Sequence, residues 1–435
     1  MTASQPQLPD HVVTGWRDPG LAATLLAEIR RLTAGWSRQL VVMEICGTHT
    51  LAISRWGIRA LLPPALRLVS GPGCPVCVTD DTEIEEMVAL AFCPGVTVAT
   101  YGDLLKVPGS WGTLAQARSA GADVRMVYSP LEALTLAAEL GRQMPGQFVV
   151  FLAVGFETTA PATALALRQA ERLGMDNFLV YCAHKLTPPA MRALLADPES
   201  SIDAFLIPGH VSTILGEKAF AFLAEEYGCP SVVAGFEPVD ILAGLLSIVG
   251  SVDSPSWPSE TNHSGGVPNT VQNRVHNTYR RAVRPDGNLV AKDLLRSTFE
   301  VTSSNWRGLG RIADSGLVLR PEFARFDARQ RLAGELDAAR RRMAAVLQRG
   351  AANAHRRRAA CRCGDVLRGK LSPPECPLFG RVCTPVDPAG PCMVSSEGAC
   401  AAYYQHGTPG TSTGPTTGPT TGSSAGSSTA PARKR

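Results

Sequence analysis

Two cysteines separated by two residues lie in a stretch with an unusually constrained backbone. The sequence GPGCPVC at residues 71–77 places Cys74 and Cys77 among glycines and prolines. Proline fixes φ and lacks an N–H donor, whereas glycine reaches conformations closed to other residues. The apolar run 66–69 predicts a strand before this stretch, and the Asp-Asp-Thr run 80–82 is typical of a helix start after it. We therefore expect a strand-to-helix turn whose two thiols can bind a metal or close into a disulfide.

A third thiol follows a different predicted strand. Cys46 comes directly after the apolar run 40–45, and His49 lies three residues further on. At this spacing a histidine is close enough to orient or deprotonate the thiol, or it can simply cap the helix predicted over residues 51–62. Dithiol exchange needs only two sulfurs. A third sulfur on another strand therefore favours metal binding over disulfide exchange alone.

Strands and helices alternate along residues 21–250, which predicts an α/β fold. The apolar runs are continuous, and this is typical of parallel sheets covered by helices on both faces. We expect two Rossmann-like parallel-sheet α/β domains, at residues 11–145 and 146–250, and a smaller Cys-rich domain within the region 251–405. Further strands are predicted at residues 96–100, 124–128, 148–154, 178–181, 204–207 and 231–234, and further helices at residues 21–32 and 131–140.

Chemically active side chains recur just beyond the carboxyl ends of these strands. Ligands of open α/β sheets bind in the crevice outside those ends. The residues in such positions are Cys46, His49, Cys74, Cys77, Glu157, His210 and Glu237. Together they predict a site at this edge. Functional and structural roles are equally compatible with Glu157 and His210, whereas Glu237 is interpreted as structural.

Half of the twelve cysteines lie within residues 361–400. They are Cys361, Cys363, Cys376, Cys383, Cys392 and Cys400. Thiolates at this density need a metal to neutralise them, and four cysteine ligands serve either structural zinc or an iron–sulfur cluster. Zinc usually takes two short CxxC pairs, which this segment lacks, so the wide spacing favours an iron–sulfur cluster. The remaining cysteines, Cys93, Cys182 and Cys229, lie in or beside apolar segments and are interpreted as small buried hydrophobic residues.

Composition excludes several classes of protein. The chain has 435 residues, 45% of them hydrophobic and 18% charged, with a net charge of +4, which does not indicate a nucleic-acid partner. No apolar run is long enough to span a membrane, and residues 1–10 lack the apolar core of a signal peptide. We expect a cytoplasmic protein, in which cysteines serve metal or redox chemistry rather than structural disulfides.

The end of the chain is less regular. Residues 251–270 predict a loop or insertion, while residues 271–283 and 322–348 predict helices. The arginine runs 340–342 and 356–358 are interpreted as solvated faces that could also receive an acidic partner. Residues 406–435 are rich in Gly, Ser, Thr and Pro, and we expect this tail to be disordered.

Several of these motifs resemble those of the HypD family of hydrogenase maturation factors. The similar motifs are CGTHT at residues 46–50, GPGCPVC at 71–77, GFETT at 155–159, CRCGDVL at 361–367, CPLFG at 376–380 and MVSSEGAC at 393–400. The resemblance covers about residues 40–404 and keeps these motifs in order. It departs in the stretch 251–270 and in the tail.

The resemblance implies a scaffold for the iron centre of [NiFe] hydrogenases, a metallochaperone that it does not identify firmly as an enzyme. Such a scaffold, with its small partner HypC, holds an iron that receives two cyanides and one carbon monoxide. HypE delivers the cyanide after HypF has made its thiocarbamate precursor. On this chain the implied iron-site residues are Cys46, Cys74 and Cys77.

The resemblance also implies a [4Fe–4S] cluster in a C-terminal iron–sulfur domain. The family spacing C-x14-C-x6-C-x16-C selects Cys361, Cys376, Cys383 and Cys400 as its ligands. Cys363 and Cys392 are then extra thiols and candidates for a relay between the cluster and the 74/77 pair, and Cys363 is also a rival cluster ligand.

Two functions from different classes stay open at this point. The first is the iron-centre assembly scaffold, which binds iron and partner proteins and passes electrons. The second is a thiol–disulfide oxidoreductase in which a C-terminal cluster reduces Cys74 and Cys77 for a separate protein substrate. The third thiol, Cys46, favours the scaffold.

Overall fold

A five-stranded parallel sheet is built from two separated parts of the chain. The computed structural model describes residues 15–252 and 275–407, and the backbone alone of residues 349–355. The strands are β1 (Leu40–Glu44), β2 (Leu66–Ser70), β7 (Ala204–Pro208), β8 (Ser231–Ala234) and β9 (His276–Asn277), in the order β2-β1-β7-β8-β9. All neighbouring pairs are parallel. We call this the first sheet.

A second parallel sheet comes from the intervening residues. Its strands are β3 (Val96–Thr100), β4 (Val124–Met126), β5 (Phe148–Ala153) and β6 (Phe178–Cys182), in the order β4-β3-β5-β6. Strands β1 and β7 of the first sheet and β3 and β6 of the second are buried along their whole length, as expected for apolar strands covered on both faces. The prediction of an α/β fold with parallel sheets and a Cys-rich C-terminal region is confirmed.

The division of strands between the sheets differs from the predicted boundary at residue 145. That boundary falls inside the second sheet, between β4 and β5. The chain leaves the first sheet after β2, builds the second sheet, and returns to the first sheet at β7. The alternation of apolar runs indicates where strands are, but it does not indicate which strands pair, because pairing is decided by contacts between distant residues.

Helices cover both sheets. They include α1 (Pro19–Leu32), α2 (Gly47–Arg55), α3 (Ile58–Leu61), α4 (Pro75–Val78), α5 (Asp81–Leu90), α6 (Leu114–Ser119), α7 (Pro130–Gln143), α8 (Ala160–Arg172), α9 (Thr187–Ala196), α10 (Gly209–Leu215), α11 (Phe222–Glu225) and α12 (Pro238–Val252). Helix α1 packs on α12, with Leu26 and Ile29 in the same core as Ile241 and Leu245. Helix α2 begins four residues earlier than predicted, so that the cysteine motif itself starts the helix.

The last third of the described chain joins the two sheets to the cysteine-rich segment. Helix α13 (Leu289–Thr298) leads into an antiparallel hairpin, β10 (Phe299–Trp306) and β11 (Gly310–Leu319). It is followed by α14 (Ala328–Arg331), the long helix α15 (Ala333–Ala359), α16 (Cys363–Leu367) and α17 (Ala399–His406). The predicted turn at residues 306–310 is the tip of the hairpin.

The predictions for the less regular regions are confirmed in some segments and wrong in others. The helix predicted over 271–283 is wrong for residues 275–283, where β9 pairs with β8 and a turn follows, while residues 271–274 lie outside the described residues. The helix predicted over 322–348 is confirmed for residues 328–331 and 333–348, which lie in α14 and α15, while the 3-10 turn Pro321–Phe326 precedes them. Of the predicted insertion, residues 253–270 lie outside the described part, as do residues 408–435 of the tail. Within the described ranges, no helix combines the length and the apolar character needed to cross a membrane.

Candidate functional site

The loop that carries Cys74 and Cys77 lies directly against the backbone of Cys46. Strands β1 and β2 are parallel neighbours, so both motifs emerge at the same edge of the first sheet. The N–H of Gly47 donates to the carbonyl of Gly73 at 3.1 Å. A Cβ atom at Gly73 would lie 2.3 Å from the backbone nitrogen of Cys46, which is too close for any residue other than glycine. Gly73 therefore permits a close approach between the two backbones, because it has no side chain.

The Cys74–Cys77 pair is buried in this loop. Cys74 caps α4, its Sγ accepts a hydrogen bond from the N–H of Cys77 at 3.3 Å, and Pro75 takes the first helical position, where no N–H is needed. The side chain of Cys74 is 3% exposed and that of Cys77 is 0% exposed. Burial raises the pKa of the Cys77 thiol well above its usual value. Cys77 is therefore a protonated thiol near neutral pH unless a metal or a disulfide takes its proton's place.

Cys46 stands at the N-terminus of α2 in extended backbone conformation. Burial raises the pKa of its thiol to about 12, although hydrogen bonds from the backbone N–H groups of His49 and Thr48 oppose the shift. The carboxylates of Glu397 and Glu44 add to the rise. A divalent metal at this sulfur would have to displace its proton.

His49 is fully buried and does not cap α2. Its Nε2 lies 2.8 Å from the carbonyl oxygen of Gly235, to which it donates, while its buried Nδ1 has no hydrogen-bond partner within the described residues. Burial lowers the pKa of His49 to about 4, so the ring is neutral. Its ring centroid lies 4.6 Å from that of Phe236, which also stacks with the exposed His210 at 3.9 Å. The two histidines therefore meet through Phe236 at the edge of the first sheet.

The two predicted glutamates are separated by the fold. Glu157 follows β5 in the second sheet, where it accepts the backbone N–H of Thr187 at 2.7 Å and the hydroxyl of Thr187 at 2.9 Å, at the start of α9. Burial raises the pKa of Glu157 to about 7. Glu237 follows β8 in the first sheet and forms a bidentate ion pair with Arg17. The Nε and Nη2 atoms of Arg17 donate to the two carboxylate oxygens of Glu237 at 2.5 and 2.7 Å. Glu157 therefore holds a helix start, and Glu237 ties down the 3-10 turn Gly15–Arg17.

The cysteines of the C-terminal segment converge on one pocket. The pocket is lined by all six of them, Cys361, Cys363, Cys376, Cys383, Cys392 and Cys400. Burial raises the pKa of Cys400, and the negative charges of Cys361, Cys383 and Cys376 raise it further. Cys363 and Cys392 also interact electrostatically with Cys400, so all six cysteines belong to one interacting group. A Cβ at Gly390 would lie 2.6 Å from the Sγ of Cys361, so a glycine makes room for that sulfur.

These thiols fit a four-cysteine cluster in identity and convergence. In the part of the chain that the structure describes, however, no group of three or more His, Cys, Asp or Glu side chains is arranged to hold a metal ion. All twelve cysteines are free thiols.

Two further thiols connect this pocket to the pair on the first sheet. The Sγ atoms of Cys363 and Cys392 lie 2.7 Å apart. The thiol of Cys392 also interacts with that of Cys77, and the thiol of Cys363 with that of Cys361. Cys392 and Cys363 therefore link Cys77 to Cys361 through pairwise interactions, and we call these four side chains the string of sulfurs. The cysteine-rich segment therefore folds back onto the 74/77 loop.

Sequence reasoning missed Glu397 as a neighbour of Cys46. Its Oε1 accepts a hydrogen bond from the hydroxyl of Thr48 at 2.9 Å, and a Cβ at Gly47 would lie 2.3 Å from the Cβ of Glu397. Burial raises the pKa of Glu397. The motif at residues 393–400 contained this glutamate, but only its cysteine was used. The C-terminal segment therefore packs over the start of α2.

The tip of the β10–β11 hairpin was also missed. The N–H of Arg307 donates to the carbonyl of Val78 at 2.9 Å, and its Nε donates to the carbonyl of Thr79 at 2.9 Å. On the other side, a Cβ at Gly308 would lie 2.4 Å from the Cα of Gly364. The tip is therefore wedged between the 74/77 loop and the cysteine-rich segment. The sequence predicts the Trp-Arg-Gly-Leu-Gly turn, but it does not indicate which segments the turn packs against.

Comparison with known proteins agrees with these motifs. The HypD family model, described as "Hydrogenase formation hypA family", matches residues 20–407. Hydrogenase maturation factor HypD of Azotobacter vinelandii is 45% identical over 402 residues, covering 91% of this chain and 96% of that protein. The corresponding factor of Rhodobacter capsulatus is 43% identical over 397 residues, covering 90% and 97% of the two chains. That of Escherichia coli K12 is 41% identical over 407 residues, covering 91% and 97%. The chain therefore belongs to the HypD family of hydrogenase maturation factors.

Proposed function

We propose that this hydrogenase maturation factor is the scaffold on which the Fe(CN)2CO group is assembled. The observation that carries the proposal is the contact between Cys46 and the 74/77 loop. The loop that carries Cys74 and Cys77 packs against the backbone of Cys46 at the edge of one sheet, through a close approach that only glycine permits. Thiolates are soft ligands that suit iron bearing strong-field diatomic ligands.

The iron is cargo in this proposal, and the burial of the site suits a transient complex. The raised pKa values of Cys46 and Cys77 mean that binding releases protons, so affinity rises with pH. Glu397, whose pKa burial raises, bonds to Thr48 at the start of α2 and is the group placed to accept such a proton, whereas the lowered pKa of His49 keeps its ring neutral.

The partners follow from the same role. A HypC-type small chaperone shares the iron, and HypE delivers cyanide that HypF has prepared. The exposed His210, stacked on Phe236 beside His49, marks the face of the first sheet that is open to such partners. The setting of this chemistry is the cytoplasm.

The C-terminal pocket is the place for a [4Fe–4S] cluster held by Cys361, Cys376, Cys383 and Cys400. The support is the convergence of these side chains on one pocket. When bound, such a cluster supplies electrons one at a time.

The string of sulfurs supports an exchange route between that pocket and the iron site. If Cys74 and Cys77 form a disulfide, the Cys392 thiolate attacks the sulfur of Cys77 and releases Cys74 as a thiol. Cys363 then attacks Cys392, releases Cys77, and leaves a disulfide between residues 363 and 392. Two electrons and two protons reduce that disulfide. The net result is a pair of thiols at residues 74 and 77 for each two electrons received.

The alternative, a thiol–disulfide oxidoreductase for a separate protein, is weaker on the same geometry. The sulfurs of Cys74 and Cys77 are almost completely buried, so a substrate protein would have to unpack the loop to reach them. The thiols that interact with Cys77 in the described structure, those of Cys74, Cys392 and Cys363, all belong to the same chain. The pair is therefore placed to serve its own chain.

Infrared spectroscopy tests the scaffold. Protein produced with its HypC-type and HypE partners is expected to show cyanide and carbonyl stretching bands. These bands are expected to vanish in Cys46→Ala. Cys229→Ala is the matched control, because Cys229 is another buried cysteine whose pKa burial raises to about 12 but which bonds to Asp203 and Ser231 instead of the site. Unchanged bands in Cys46→Ala would remove the role assigned to this thiol.

A further inference from the structure

A basic recess opens beside the cysteine pocket. It has a volume of about 500 Å³ and is lined by residues from α15, α16, the hairpin tip and the loop before Pro391. Its charged lining residues are Asp81, Arg307, Arg358, Arg362, Asp365 and Arg368. Four arginines against two aspartates give the recess a net charge of +2.

The charges of the recess are arranged as two trios. In the inner trio, Arg307 and Arg358 both pair with Asp81, at 2.8 and 2.5 Å, and are only 11% and 12% exposed. In the outer trio, Arg362 and Arg368 both pair with Asp365, and they are 54% and 33% exposed. Each aspartate is shared by two arginines, so each trio keeps one uncompensated positive charge. The inner trio fixes the shape of the recess, and the outer trio faces solvent.

The recess is also where a sulfur of the cysteine pocket comes nearest to solvent. Cys361 and Cys363 line both the cysteine pocket and the recess, and Cys361 is the partly exposed member of the group, whereas the other five cysteines are buried. Cys392, which leads to Cys77, lies in the cysteine pocket but does not line the recess. The pocket therefore has an outward side at Cys361 and an inward side at Cys392.

We infer that this recess is the docking site of a small acidic one-electron carrier protein, which supplies the electrons for the exchange route. The inference rests on the proposed cluster and relay. Positive charge around a redox centre attracts a carrier of opposite charge and orients it for transfer. The rim arginines are long, exposed side chains on an open surface, which suits a protein surface better than a small enclosed anion. Two reduced carriers each give one electron, and with two protons they convert the disulfide between residues 363 and 392 to two thiols.

Stopped-flow spectroscopy of the cluster-containing protein tests the inference, with reduced plant-type ferredoxin as the acidic probe. The double variant Arg362→Glu, Arg368→Glu is expected to slow cluster reduction by ferredoxin about tenfold or more at low ionic strength, since steering changes such rates by about 10 to 10³. The difference in rate between wild type and double variant is expected to shrink as the salt concentration approaches about 1 M, where the Debye length falls to about 3 Å. The milder Arg362→Gln is expected to give an intermediate rate and keeps the test valid if the double variant folds poorly.

Two controls make the outcome decisive. Arg172→Glu reverses an exposed charge on α8, which is not part of the recess, and is expected to leave the rate unchanged. Reduced methyl viologen is a small cation. It is expected to reduce the cluster of the variants at the wild-type rate or faster. Equal ferredoxin rates in wild type, the double variant and Arg362→Gln would overturn the docking site while leaving the cluster intact. Absence of iron and sulfide in the wild-type protein would overturn the proposed cluster itself, and the docking inference with it.

Discussion

Replacing Gly73 by alanine tests the central contact of the site. The added Cβ would lie 2.3 Å from the nitrogen of Cys46, 2.5 Å from its Cα and 2.6 Å from the carbonyl carbon of Ile45. All three are backbone atoms, so no side chain can turn away. To reach an ordinary contact of 3.4 Å the loop must retreat by about 1.1 Å, the difference between 3.4 and 2.3 Å.

That retreat has a calculable cost. Forcing an extra methyl group into a packed region costs about 1–3 kcal/mol. The hydrogen bond from Gly47 to Gly73, now 3.1 Å long, would be lost as well, at about 1 kcal/mol. We therefore expect Gly73→Ala to lower the free energy of unfolding by about 2–4 kcal/mol, and to separate Cys46 from Cys74 and Cys77 even in the protein that still folds.

Two measurements check this expectation. Urea unfolding followed by fluorescence gives the stability, and infrared spectroscopy of protein made with its partners gives the state of the iron site. Gly250→Ala is the matched control, because a Cβ there meets nothing within 4 Å and the residue lies in α12, where alanine is favoured over glycine. If Gly73→Ala unfolds at the wild-type urea concentration and keeps its cyanide and carbonyl bands, the close approach does not organise the site.

Three other outcomes are expected. Cys376→Ala should lose the brown colour and much of the iron of anaerobically purified protein; retention of both, or zinc in their place, would contradict the cluster assignment. In Cys400→Ala, free-thiol counts after mild reduction should show Cys74 and Cys77 still oxidised while the wild type shows them open; equal counts would mean that the pair is reduced from outside. Glu157→Gln should flatten the pH dependence of thermal unfolding. Because burial raises the pKa of Glu157 from 4.5 to about 7, its stabilising contribution is complete below about pH 4.5 and is lost as the pH rises through 7. The loss amounts to about 3 kcal/mol at 1.36 kcal/mol per pKa unit, and an unchanged profile in the variant would assign the pH dependence elsewhere.

The sequence predicted the local features of the fold well because they depend on neighbouring residues. Continuous apolar runs located the strands within one or two residues at most positions, and the GPGCPVC stretch formed the expected strand-to-helix turn. The adjacency of Cys46 and the 74/77 loop also followed, because parallel strands present their carboxyl ends at one edge. The roles assigned to these thiols stay predictions.

Features that depend on distant residues were beyond sequence reasoning. The pairing of β1 with β7 joins residues more than 160 positions apart, and no local pattern encodes it. Glu397 reaches Cys46 because the C-terminal segment packs over α2, and Arg307 reaches the cysteines because a hairpin projects from elsewhere. The helix prediction for residues 275–283 was wrong for the same reason. His276 and Asn277 pair with β8 as a parallel strand, and this pairing joins residues more distant than any local pattern.

The split of the first sheet has a consequence for how the protein is made. During synthesis, β1 and β2 leave the ribosome with Cys46, Cys74 and Cys77 long before β7 can pair with β1. The second sheet, whose strands are consecutive in the chain, has all its partners as soon as residue 182 has emerged. The sulfur string and the Glu397 contact come from residues 361–400, near the end of translation. The chain therefore completes the surroundings of Cys46, Cys74 and Cys77 only after nearly all of it has been synthesised, and a truncated product would lack the segment that packs over these thiols.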